Sequence, residues 1–143
     1  MSAEKLIREV VERLGWSLAV ISDDLFRLTG VGSRDKGILL RIDPLGYISA
    51  AIVPIVKVPR ETRLATALYE RLLELNHQIL MARFCIDDDL DVILAVDHPL
   101  ADLDASELQA ALELLEHYCE LHLSALEALV ADEGQPLPSS SRG

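Results

Sequence analysis

Apolar residues recur with two different periods along this chain, and the order in which those periods alternate constrains its fold more than any other feature. Leu6, Ile7, Val10, Val11 and Leu14 follow the three- and four-residue spacing of one helix face, and Gly15 stops the run. Ile38, Leu40 and Ile42 then alternate with Arg41 and Asp43 as a strand does, closed by a turn at Asp43-Pro44-Leu45-Gly46. Helical spacing returns from about Glu61 to Asn76 through Leu64, Leu68, Leu72 and Leu75. Ala82 to Ile86 and Val92 to Val96 read as a hairpin across Asp87-Asp88-Asp89-Leu90-Asp91. A third helix, capped by Asp104 or Ser106, runs to about Ala131.

The intervening segments complete the order. Trp16 to Leu28 reads as extended chain with a turn at Ser22-Asp23-Asp24, and Gly30 to Gly37 as a polar loop. Tyr47 to Val58 is rich in β-branched residues and extended. Pro54 within it cannot donate to a ladder, which predicts an edge position or a bulge. Glu133 to Gly143, with two prolines and three serines, predicts a disordered tail, so the expected organisation is one domain over residues 1–131 and a tail over 132–143. The order helix, three strands, helix, two strands, helix predicts an α+β fold, an antiparallel β-sheet with helices packed on it. A chain of 143 residues is long enough to bury a core without disulfides or metals.

Charge narrows the partners. Met1 to Ile86 holds 12 basic and 10 acidic residues; Asp87 to Gly143 holds 1 basic and 14 acidic, a net of −13. Such a surface repels nucleic-acid backbones and anionic lipid, so neither is expected as a direct partner, and a basic protein suits it better. No run approaches the roughly 18 apolar residues of a membrane span, and the N-terminus lacks the pattern of a signal peptide. With Cys85 and Cys119 read as small buried thiols, the expected location is cytoplasmic.

Residues with chemical potential do not assemble into a known catalytic or ligand pattern. Asp87, Asp89 and Asp91 begin like a calcium loop, but Val92 stands at the sixth position where glycine belongs and His98 at the twelfth where glutamate belongs. Gly30 to Gly37 suggests a phosphate loop, yet a strand follows it where a helix is required. His117 and His122 are five apart and point away from one another on a helix; Cys119 and His122, three apart, could face each other. His122 lies near the centre of the apolar arc and reads as a structural or interfacial histidine. The chain is therefore expected to be no enzyme and to use no cofactor or metal. The alternative is a small-molecule or metal sensor, or an unrecognised enzyme, built on Cys119 and His122 or on the Gly30–Gly37 loop.

The third helix carries more apolar surface than one sheet face requires. Glu113, Glu116, Glu120 and Glu127 fall within about 60° of one another at about 100° per residue. Leu108 to Leu129 spread apolar positions over roughly 180°, against the roughly 100° needed to cover one neighbour. The excess is expected to meet either another helix of the same chain or a second subunit. The subunit reading predicts a homodimer, with Leu115, Tyr118, His122 and Leu126 as the candidate interface.

A family resemblance enters at Leu72-Leu73-Glu74-Leu75-Asn76-His77, then Ala82-Arg83-Phe84-Cys85-Ile86-Asp87-Asp88-Asp89, Asp91-Val92-Ile93-Leu94-Ala95-Val96-Asp97-His98-Pro99-Leu100 and Leu103-Asp104-Ala105-Ser106-Glu107-Leu108. This succession resembles the YbjN family of bacterial proteins and, more loosely, class I type III secretion chaperones. In them a helix ends in a leucine pair and asparagine, a strand of the form A-R-F-x-I-D follows, and then come an acidic turn, a strand ending in x-P-L and a helix opened by L-D-x-x-x-L. One departure is Leu90, where the family's turn has glycine. The resemblance implies a type III secretion chaperone-like fold and a regulatory or chaperone-like, protein-binding role as an acidic homodimer. It also implies that a partner's segment lies over apolar grooves, with Leu6, Val10 and Leu14 of the first helix as candidate contacts if that helix packs loosely. The client is expected to be amphipathic and basic, and a nucleic-acid-binding protein fits that description. Protein purified without chelators is expected to carry no stoichiometric zinc or calcium, which elemental analysis checks.

Overall fold

The computed structural model describes residues 2–30 and 36–131. The expected tail, 132–143, and the interior of the Gly30–Gly37 loop lie outside the described residues. The elements are α1 (Ala3–Leu14), β1 (Ser17–Ser22), β2 (Leu25–Thr29), β3 (Ile38–Asp43), β4 (Tyr47–Ile52), α2 (Thr62–Gln78), β5 (Arg83–Ile86), β6 (Val92–Pro99) and α3 (Ala105–Val130). This is the expected α+β succession. The Ser22-Asp23-Asp24 turn makes a hairpin of the first extended segment, so the sheet has six strands rather than five. Among the described residues no helix is long and apolar enough to cross a membrane.

Local chemistry sets the boundaries. Ser2 caps α1 by accepting the Lys5 N–H, and Gly15 ends it with φ 72°, a left-handed conformation that glycine adopts without steric cost. Asp104 and Glu107 form a reciprocal capping box at the start of α3: each side chain accepts the other's backbone N–H. β4 stops at Ile52, ahead of Pro54. β4 lies inside the sheet between β3 and β6, which corrects the edge alternative for Pro54. The ladder against β6 resumes beyond it, where the Ile55 N–H donates to the Val92 carbonyl at 2.7 Å and Lys57 bridges to Asp91. Pro54 therefore sits where pairing is interrupted and no donor is required.

The sheet is antiparallel throughout, in the order β1-β2-β3-β4-β6-β5. Its register carries two rows of apolar side chains across one face: Phe26, Leu40, Ala50 and Val96, and beside them Leu28, Ile38, Ile52, Leu94 and Phe84. Every one of these residues is buried. Arg27, Arg41, Ser49, Asp97 and Arg83 alternate onto the opposite face, where Arg83 and Asp97 pair at 2.8 Å.

The helices cover the apolar face, with α1 and α2 both packed against α3. That arrangement explains the broad apolar arc of α3, because two helices of the same chain and the sheet share it. Leu115 and Leu126 are 0% and 1% exposed, so they lie inside this protomer and present no surface to another. Leu6 and Val10 likewise sit in the core, at 6% and 0% exposure, while Leu14 is partly open. The condition attached to these α1 residues, a loosely packed helix, does not hold in this structure.

The β5–β6 hairpin tolerates Leu90 by bending it. The Leu90 N–H donates to the Asp87 carbonyl at 3.0 Å and Leu90 takes φ 62°, so a left-handed residue follows the tight turn. A branched side chain in that conformation costs roughly 1–2 kcal/mol, of which glycine would return part, less its larger unfolded-state entropy. Leu90 is half exposed and gives up little packing. Leu90→Gly is expected to raise stability by roughly 0.5–1 kcal/mol, read as a higher urea midpoint at unchanged slope.

Candidate functional site

Helix geometry gives α2 two apolar stripes. Leu64, Leu68, Leu72 and Leu75 are buried against the core. Residues one position further round the wheel cannot reach it, and Tyr69 and Leu73 are 39% and 70% exposed. Beyond the helix, Leu80 and Met81 are also exposed, in a turn where Met81 takes φ 64°. Between α2 and β5 runs an open groove of about 360 Å³, lined by Tyr69, Leu72, Leu73, Asn76, Phe84, Cys85 and Ile86.

Asn76 builds this groove. Its carboxamide nitrogen donates to the Phe84 carbonyl at 2.9 Å, and its oxygen accepts the Phe84 N–H at 2.7 Å. Phe84 belongs to β5, at the sheet's edge, so these are backbone groups with no strand to meet. The carboxamide stands in for a strand, ties α2 to the sheet and closes the edge at its centre. From α3, the Tyr118 hydroxyl accepts the Leu80 N–H at 2.9 Å, and the His122 ring meets Phe84 edge-on at 6.3 Å. Partial burial, with Arg71 and His117 nearby, pushes the His122 imidazole below the ordinary histidine range. Tyr118 and His122 thus brace the end of the groove, while Leu115 and Leu126 from the same sequence-derived set lie in the core.

Immediately after the groove-lining Ile86 comes the acidic turn. The carboxylates of Asp87, Asp89 and Asp91 lie within 4.8 Å of one another, and they form the sole group of three or more metal-capable side chains among the described residues. Asp87 Oδ1 is already engaged, accepting the N–H groups of Asp89 and Asp91 at 2.9 Å each. Asp91 accepts from Lys57 Nζ at 2.6 Å, and that bond and charge, with Asp89 and Asp87 adding, raise the Lys57 ammonium above its usual range. Cys119 and His122 join no such group. Glu116 lies elsewhere, on the α3 stripe, where partial burial together with Glu120 and Glu113 holds its carboxyl above the usual carboxylate range.

The groove residues were within reach of the sequence. Tyr69 and Leu73 fall outside the Leu64-Leu68-Leu72-Leu75 arc, and apolar residues on the wet side of a helix are the available signal. The pairing of Asn76 with Phe84 carries no such signal, because it joins positions eight apart through a turn. Removing the carboxamide would leave a part-buried N–H and C=O unpaired. Asn76→Ala is expected to cost about 2 kcal/mol in chemical denaturation.

In overall shape the chain resembles solved structures at low sequence identity. A chain of the heterodimeric ExoU–SpcU complex from the type III secretion system of Pseudomonas aeruginosa superposes with a TM-score of 0.63 at 18% identity, over 87% of this chain and 97% of that one. YbjN from E. coli gives 0.63 at 11% identity, over 87% and 93%. A chain of the Yersinia pestis type III secretion chaperone SycH in complex with a stable fragment of YscM2 gives 0.61 at 14% identity, over 84% and 98%. No curated protein matches the chain at a significant level. The fold is thus that of the secretion chaperones and YbjN. The model of the YbjN family, whose description reads "Putative bacterial sensory transduction regulator", matches residues 4–128, and the chain belongs to that family.

Proposed function

We propose that this protein is a non-catalytic, chaperone-like or regulatory binding module that acts as a homodimer and holds a segment of a partner protein in the groove between α2 and β5. The observation that carries the reading is the position of that groove. Exposed Tyr69 and Leu73 line it, Leu80 and Met81 are exposed in the turn before β5, and the acidic Asp87–Asp91 turn follows Ile86 at the other end of that strand. Soluble proteins leave large apolar side chains together in solvent mainly where something covers them. The named neighbours supply supporting analogies: SycH is held in complex with a fragment of YscM2, and SpcU with ExoU.

The groove favours an amphipathic, basic segment. Covering Tyr69 and Leu73 supplies affinity at roughly 25 cal/mol per Å² before ordering costs are subtracted. The acidic turn orients and speeds the encounter. Basic segments of this kind occur in nucleic-acid-binding proteins, which makes them the client class we favour, while the chain's net charge of −11 keeps it off nucleic acid itself. Leu14 is the α1 candidate with open surface, and His122 packs on the groove-lining Phe84.

Leu73 is the residue to test, because it is exposed and its replacement leaves the core intact. In affinity capture from the native host, the wild-type chain is expected to retain a partner that Leu73→Asp loses, with circular dichroism and the melting temperature of the variant unchanged. Added salt should slow association more than it speeds release. Equal retention by both chains would place binding outside the groove.

A further inference from the structure

The carboxylates along α3 do not all face water. Glu113 and Glu120 are exposed, but Glu116 between them is part-buried, in the wall of a recess of about 40 Å³. Much of the lining is apolar: Leu28 of β2, Ile38 of β3 and Ile52 of β4 are neighbours across the sheet, and all three are buried. Trp16 and Glu120 line it as well. Of the positions from which the sequence allows a small-molecule site, Cys119 and Gly30 lie in this wall and His122 does not.

At this recess a carboxylate and an indole converge. A Cβ at Gly30 would stand 3.0 Å from both Glu116 Oε2 and Trp16 Nε1, so any side chain there would crowd the two groups. Glu116 nevertheless has no countercharge. Among the described residues neither Glu116 nor Glu120 makes an ion pair. Lys36 also lines the recess, but its ammonium donates to the Pro54 and Ile55 carbonyls, at 2.9 and 3.4 Å. Glu113 and Glu120 stand three positions before Glu116 and four after it, a helical spacing at which like charges repel. Desolvation, then Glu120 and Glu113, hold its carboxyl above the usual carboxylate range.

A carboxylate crowded in this way is relieved by a cation, and the surroundings select the kind. A metal ion needs more oxygen ligands than two carboxylates supply, and among the described residues Glu116 belongs to no group of three. An organic cation needs one or two carboxylates, with apolar and aromatic surface for its carbon stem. We propose that this recess binds a small primary ammonium, its charged head on Glu116 and Glu120 and its short alkyl stem against Trp16 and the Leu28–Ile38–Ile52 wall. The volume suits an ammonium head, which is about the size of a water molecule, and excludes a bulky one. The site shares no lining residue with the α2–β5 groove, and it stands whether or not a partner protein binds there.

Trp16 is the only tryptophan of the chain, so its fluorescence reports on the recess directly. Titrating the full chain with n-propylammonium chloride is expected to change that emission along a saturable curve, half complete at roughly 1 mM, the affinity a ligand this small can reach. The neutral analogue 1-propanol, and potassium chloride at equal ionic strength, should leave the emission nearly unchanged. Glu116→Gln keeps the shape of the side chain and removes its charge, and should weaken binding about tenfold. Glu120→Gln, at the exposed carboxylate, should weaken it about threefold. No saturable change in the wild-type protein would overturn the site, as would an equal response to 1-propanol or to potassium chloride. Undiminished binding by folded Glu116→Gln, or by Glu120→Gln should the first variant not fold, would put the cation elsewhere and overturn it equally.

Discussion

The rest of the structure depends on how α3 buries an apolar arc wider than any single neighbour can cover. A helix with apolar positions over roughly half its circumference needs support on more than one side. Here the sheet lies beneath it and α1 and α2 flank it, so that Leu108, Leu112, Leu115, Leu123 and Leu126 are all nearly inaccessible. Removing such a leucine side chain costs about 2–5 kcal/mol, a large share of the stability of a domain this size. The arrangement also decides which surfaces remain. With α3 enclosed, α1 is held firmly and its inner face is spent. Of the apolar surface left in solvent, part is on the far side of α2 and in the turn after it and part on β1, with Leu45, Tyr47, Leu90 and Leu121 exposed elsewhere.

The α2–β5 and β1 surfaces lie at opposite ends of the sheet, and edge chemistry distinguishes them. At β5 the Asn76 carboxamide satisfies the strand's outward groups with two short bonds, so a visiting chain finds side-chain surface there rather than a free ladder. In the proposed function, recognition in that groove comes from burial of apolar groups next to the acidic turn. At β1 no side chain among the described residues takes the outer backbone, and the strand carries a bulge between Val20 and Ser22. The two ends of the sheet therefore differ in what they present, apolar side chains at α2–β5 and strand backbone at β1.

Much of the fold was legible in the sequence because the elements signal themselves locally. Gly15 and the Asp104–Glu107 pair mark helix ends, and the Ser22–Asp24, Asp43–Gly46 and Asp87–Asp91 turns mark hairpins. What periodicity cannot assign is the neighbour. The arc of α3 is equally consistent with a second helix or a second subunit, and only the three-dimensional packing shows α1 and α2 there. For the same reason Leu115 and Leu126 look interfacial in sequence and are interior in space, and Val10 looks available and is 0% exposed. Pro54 marks a break in pairing but not which strand lies beside it. Asn76 is visible as part of a family motif, yet its task depends on Phe84, which only the folded turn brings near.

The family motif joins residues of the framework to one that stands in solvent. Most of its residues have a structural task here: Leu72 and Leu75 fill the core, Asn76 clasps Phe84, Arg83 pairs with Asp97, and Asp104 caps α3. Leu73, the second member of the leucine pair, has none. Successive helical residues lie about 100° apart, so when Leu72 faces the core Leu73 cannot, and it stands 70% exposed at the lip of the groove. Stability does not account for leucine at that place, since a polar residue there would fold as well and dissolve better. In the proposed function, Leu73 is the side chain that a bound segment covers. Leu72, Asn76, Phe84, Cys85 and Ile86 of the lining belong to the same motif, which leaves Tyr69 as the lining residue outside it and the one whose replacement alters the groove without touching that framework.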